Sequence, residues 1–164
     1  MKVEYMFDFL TAKPVLIGLH LTFAIIGIDA FLWLLGEFWA DVANTKRRVW
    51  AAVIGCVGFV MTWIIGGYYY VKFYGTLVKP TILSGTAPWA HAIAMEAKEH
   101  IFLFLVPMGI TAFFVAFLDQ ETIARLQLKR PILWLVGTIA ALGLFIGALG
   151  FIISAAARWG ILQS

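Results

Sequence analysis

The chain has three histidines, His20, His91 and His100, and each lies in or beside a long apolar run. Neutral imidazole is a strong ligand for iron, copper and zinc. Ionisable groups at membrane depth are costly and default to a functional role. Asp29, Glu37, Glu96, Lys98 and Glu99 share the same apolar surroundings. The densest stretch is PWAHAIAMEAKEHIFLFLVPM, Pro88 to Met108.

Helical spacing sorts these groups. At about 100° per residue, His91 and His100 point to opposite faces, while Glu96 lies one turn before His100 on its own face. His91, Met95 and Glu99 form a second stripe. Ile101 to Leu118 carries no charge and is nearly long enough to span a bilayer alone. His100 therefore falls just inside the boundary, with His91 about 13 Å above it by helical rise. His20 lies about 9 Å into its own run from Pro14 by the same arithmetic. His20 and His100 can thus reach similar depths on different helices.

Two imidazoles so placed are the axial pair that a b-type haem requires, one on each side of a flat macrocycle. Ala24 and Gly27 follow His20 on its face by one and two turns and give a porphyrin clearance. Phe23, Phe31 and Phe104 supply apolar walls, and Lys13, Lys79 or Lys98 can meet the propionates. Haem b held by His20 and His100 is the expectation, with His91 as a substitute or second-site ligand. The alternative is copper or zinc on His91, Met95 and Glu99, completed by Glu96, His100 or His20. Nitrogen and thioether donors favour copper, and carboxylates pull the other way.

The remaining acids divide by depth. Glu96 can orient His100 or carry a proton. Lys98 and Glu99 read as a hydrated helical extension, with Glu99 also a candidate to carry a proton or to support a ligand. Asp29 falls near mid-run with no cation on its helix, which leaves it protonated or hydrogen-bonded, with Thr62 and Thr138 as partners. It serves as a proton relay or as an interhelical tie. Glu37 lies near the other membrane surface and is expected to be hydrated.

Four helices must position these groups. The chain has 164 residues, 63% of them hydrophobic and 13% charged, with mean hydropathy +0.95. A soluble domain is nearer half apolar and a quarter charged, so the chain reads as an all-α membrane protein, a single four-helix transmembrane bundle. The spans are predicted at about 14–40, 50–72, 88–118 and 131–157. Pro14, Pro88 and Pro131 suit first helical turns. DVANTKRR and DQETIARLQLKR form short turns on one side, and GTLVKPTILSGTA is expected to be a structured loop on the other.

The net charge of +3 comes from loop lysines and arginines and points to no nucleic acid. Lys46, Arg47, Arg48, Arg125, Lys129 and Arg130 gather in the short turns, which predicts both termini outside a bacterial or archaeal cell membrane. Cys56 is the single cysteine, so no disulfide framework or Cys-x-x-Cys motif exists. The opening MKVEYMFDFLTAK lacks the apolar core and cleavage site of a signal peptide and reads as mature sequence whose aromatic residues rest at the interface. Trp50, Trp89, Trp134 and Trp159 form an aromatic belt. Gly143 and Gly147, in GxxxG spacing, mark a close helix contact.

In span count, histidine depth and adjacent small residues, the chain resembles the four-helix membrane b-type cytochromes. That resemblance implies a subunit passing electrons between a quinol pool and a partner redox protein, as a homo-oligomer or within a larger redox complex, with quinone as a further ligand. A non-catalytic accessory subunit of a respiratory or transport complex is the competing reading.

Overall fold

The computed structural model describes residues 2–163, and their side chains from Glu4 to Leu162. All described elements are helical. They are α1 (Lys2–Leu10), α2 (Lys13–Trp39), α3 (Thr45–Tyr69), α4 (Lys79–Ser84), α5 (Glu96–Val115), α6 (Gln120–Arg125) and α7 (Lys129–Gln163). Two π-helical stretches join this series: Tyr70–Val78 carries α3 into α4, and Ala90–Met95 leads into α5. Four stretches are long and apolar enough to cross a membrane: Lys13–Trp39, Thr45–Ser84, Ala90–Val115 and Lys129–Leu162. The expected all-α architecture with four spans is therefore present.

The second span departs from expectation. GTLVKPTILSGTA is no loop up to Ser84; the helix runs on through Gly75 and Pro80. Proline breaks a helix by removing a donor and crowding the carbonyl four residues back. Here Pro80 falls in the first turn of α4, directly after the π-helical stretch, whose wider winding shifts that carbonyl away.

The four long helices form a ring in which α2 and α5 each pack against α3 and α7, so α2 and α5 face one another across the diagonal. The closest crossing joins α2 to α3. A Cβ on Gly58 would lie 2.8 Å from the Cα and N of Gly27, so only hydrogen fits there. Phe31 and Phe59 stack beside this crossing at 5.2 Å between ring centroids and fill the space over Gly55 and Gly27. Leu34, Leu105, Val136 and Ile139 complete the interior. The GxxxG pair divides: Gly143 seats Ile28 within the chain, and nothing approaches Gly147 within 4 Å.

At the short-turn end, local chemistry stops each helix. Asp41 and Gln127 take left-handed φ values of 52° and 53°. Behind them Val42 N–H bonds Glu37 O, and Leu128 N–H bonds Ile123 O, the Schellman pattern that satisfies terminal carbonyls. The Asp119 carboxylate caps α6 by accepting from Thr122 N–H at 2.6 Å. Those Thr122 hydrogen bonds hold its pKa below the ordinary carboxylate value. Lys129 and Asp41 form an ion pair linking α7 to the end of α2.

At the other end the helices are longer than a membrane crossing requires. The 40 residues of Thr45–Ser84 extend about 60 Å, roughly twice a bilayer's hydrocarbon thickness. Beyond that thickness the end of α3, α4, the start of the third span and the end of α7 build a second core. Tyr74, Val78, Ile82, Ala94, Ile153 and Ala156 form its centre. Close contact between Gly160 and the Thr81 carbonyl seals it; a Cβ there would come within 2.7 Å. Helix α1 leaves Tyr5, Met6, Phe7 and Phe9 exposed, as an interfacial segment would.

Candidate functional site

His20 is half-buried on the α3-facing side of α2. Its Nδ1 stands 2.8 Å from both the Thr62 carbonyl and the Thr62 hydroxyl oxygen. That hydroxyl donates its own hydrogen to the His20 carbonyl at 2.8 Å. Both oxygens near Nδ1 are then acceptors, so Nδ1 carries the ring proton and Nε2 keeps a free lone pair. Gly66 makes room for the ring: a Cβ there would lie 2.7 Å from Nδ1. A histidine fastened by Nδ1–H to a carbonyl, with Nε2 free, has the arrangement of a metal-ligating imidazole.

The α5 residue that turns towards His20 is Lys98, not His100. The Lys98 ammonium interacts electrostatically with the imidazole, and its Cε and Nζ pass 3.8 Å from where a Cβ on Gly150 would sit. His20, Thr62, Gly66, Lys98 and Gly150 thus form one polar neighbourhood drawn from all four long helices. His100 lies two residues from Lys98, hence about 200° round the helix, and is exposed. Its Nδ1 donates to Glu96 O at 2.7 Å, which again leaves Nε2 free. The fold therefore gives His20 and His100 the same tautomer, with His20 half-buried and His100 exposed.

Other expected site residues take different places. Gly27 is buried, and Phe59 and Gly58 occupy the space it leaves, so its missing side chain serves the helix crossing. Ala24 is half-buried on the same helix. Asp29 is exposed on the outward side of α2, and Thr62, its expected partner, is engaged with His20. Glu37 is not hydrated: it is 4% exposed, paired with Arg47 at 2.6 Å and bonded by Trp33 Nε1 at 2.8 Å. Glu96 is exposed and Glu99 half-buried. His91 is buried, with Nδ1 3.0 Å from the Tyr74 hydroxyl.

Among the described residues no three of His, Cys, Asp and Glu gather around one point. The copper or zinc set that adds Glu96, His100 or His20 to His91 and Glu99 is not assembled. Two hollows of about 40 Å³ and about 250 Å³ lie between α3 and α5 beside Cys56, and neither is lined by His20, His91 or His100.

Arg48 escaped the sequence reading altogether. Counted there with the loop cations, it is fully buried and donates through Nη2 to Leu118 O at 2.8 Å and Thr45 Oγ1 at 3.0 Å. Its guanidinium also lies 5.1 Å from the centroid of the Phe38 ring. Arg48 Nε and Nη1, together with Glu37 Oε2, are buried without a partner among the described residues. Nothing local in TKRR separates Arg48 from Lys46 or Arg47, because burial depends on where α5 ends. Thr62 was expected to partner Asp29 rather than His20, and its role, like that of Gly66, depends on the register between α2 and α3.

No protein-family model matches this chain, and no curated protein or solved structure matches it either.

Proposed function

We propose that this chain is a membrane b-type cytochrome subunit that takes electrons from a quinol pool and hands them to a partner redox protein, with His20 as its fixed haem ligand. The observation that carries this reading is the His20 tautomer. Thr62 holds the ring and its proton on one side, and the free Nε2 lone pair is what ferric or ferrous iron binds. His20 also stands about 28 Å along α2 from Trp39, near one edge of the hydrocarbon layer, where propionates can reach the headgroups. Lys98 supplies the cation for a propionate. The described ion pairs join Arg47 to Glu37 and Lys129 to Asp41, and Lys98 interacts electrostatically with Glu99.

His100, in the same tautomer, would be the second residue to hold the haem. For both histidines to hold one haem, α5 would have to turn about its axis. That helix belongs to the least buried span, with 17% of its apolar window inside the fold against 28–33% for the others. In this reading the terminal end faces outside.

One observation favours a second reading. Phe59 fills the space at Gly27, as in a non-catalytic subunit whose interior only has to be packed. A visible spectrum of detergent-purified protein separates the two. Haem gives a Soret band with α and β bands on reduction, lost in His20→Ala and retained in His91→Ala. A colourless protein with stoichiometric copper or zinc refutes the haem reading in favour of a metal site. A colourless, metal-free protein leaves the accessory role.

A further inference from the structure

Beyond the His20 neighbourhood lies a second polar pair that the haem does not use. Tyr74 is 2% exposed and His91 7%, and both sit in π-helical stretches, on neighbouring segments of the outer core. Such widened turns recur at functional sites. The Tyr74 hydroxyl and His91 Nδ1 are 3.0 Å apart. The other imidazole nitrogen, Nε2, makes no hydrogen bond among the described residues and is not among the sealed orphan atoms, so it opens to the outside of the pair. Tyr70 stacks on Tyr74 at 5.0 Å and 17°, which gives an aromatic platform. Ala90, Ala94 and Ala156 pack beside the pair with the smallest side chains of the outer core.

The chemistry of the pair is reversible. When the phenol donates to Nδ1, Nε2 carries the ring proton and donates outward. When Nδ1 carries the proton and the phenol accepts, Nε2 accepts from outside. A quinone needs a donor at its carbonyl, and a quinol needs an acceptor at its hydroxyl. One residue pair meets both demands by shifting a tautomer and a hydroxyl rotor. His91 lies about 36 Å along the third span from Val115, at headgroup height, where a polar ring on an apolar tail comes to rest. Glu96 and Glu99 lie close enough to interact electrostatically with both Tyr70 and Tyr74, and Glu96 is exposed.

We infer that the Tyr74–His91 pair is the docking site for the head of a lipid-soluble quinone and its quinol. Only the choice of ligand rests on the quinol-linked reading above; the site stands on its own geometry. The test is titration of the full chain in detergent with a short-chain benzoquinone and its quinol, followed by quenching of intrinsic fluorescence. Saturable binding of both forms is expected, weakened roughly 10-fold by Tyr74→Phe and at least as much by His91→Gln. Tyr68→Phe, on the exposed side of the same helix, leaves it unchanged. Should His91→Gln fail to fold, Tyr74→Phe decides, because it keeps the ring and its stacking.

No saturable binding, or binding indifferent to both substitutions, overturns the inference. The spectrum keeps the two readings apart. A red protein that ignores quinone retains the cytochrome and loses this site, and a colourless protein whose quinone binding falls in Tyr74→Phe does the reverse.

Discussion

Gly58→Ala places a methyl group where the backbone of α2 already lies. The new Cβ would stand 2.8 Å from Gly27 Cα and N and 2.9 Å from the Phe23 carbonyl oxygen. Ordinary contact begins at 3.4 Å, so α2 must retreat by about 0.6 Å (3.4 − 2.8). Backbone on a packed helix cannot rotate aside as a side chain can. Overpacking of this kind costs about 1–3 kcal/mol, and a gap of that size forfeits about a quarter or more of the dispersion between the facing surfaces. Alanine returns roughly 0.5–1 kcal/mol through its better helix propensity, so the net loss is about 0–2.5 kcal/mol, centred near 1.

Gly36→Ala is the control, because nothing lies within 4 Å of its added Cβ. It should gain the propensity term alone, roughly 0.5–1 kcal/mol. Unfolding of both variants in mixed micelles, followed by circular dichroism against denaturing-detergent fraction, should move in opposite directions. Equal shifts would show that the α2–α3 crossing is not close-packed. Gly27→Ala extends the test to function. Its Cβ meets the Phe59 ring at 2.6 Å, so stability should fall while any haem spectrum stays as in the parent. A displaced Soret band at unchanged stability would return Gly27 to the porphyrin.

Arg48→Met keeps the length of the side chain and removes the hydrogen bonds to Leu118 O and Thr45 Oγ1. It leaves a half-buried carbonyl unpaired, so stability should drop by roughly 1–3 kcal/mol in the same unfolding assay; an increase would mean that relief of the orphaned Nε and Nη1 outweighs those bonds. The Asp119 cap should be pH-dependent. Its folded pKa is lowered by Thr122, so its contribution is present above the unfolded carboxyl value of about 3.9 and is lost as pH falls through the folded value. Amide exchange at Thr122, corrected for intrinsic rates, should therefore accelerate only below about pH 4, and acceleration already near neutrality would contradict the cap.

Span number and type could be read from the chain because both follow from composition over about 20 residues, which the bilayer selects without reference to neighbours. The same holds for Pro14 in the first turn of α2. Gly75 and Pro80 misled because both discourage helix locally, whereas contacts from Tyr74, Val78 and Ile82 to the end of α7 keep the chain helical through a widened turn. His20 was found as a candidate from its depth alone. Its Thr62 anchor was not, because the two residues are 42 positions apart.

By itself, the sequence determined that this chain is a bundle of four membrane-length helices and that its imidazoles lie near one edge. Hydropathy and the 1.5 Å rise per residue are properties of single helices. Only the tertiary structure decided which way each helix faces. Rotation about a helix axis is set by contacts such as Gly58 against Gly27 and by the register of α5 between α3 and α7. That rotation turned Lys98 inward and His100 outward, buried Arg48, and paired Tyr74 with His91. A periodic pattern that is apolar all round the helix holds no record of which face meets a neighbour.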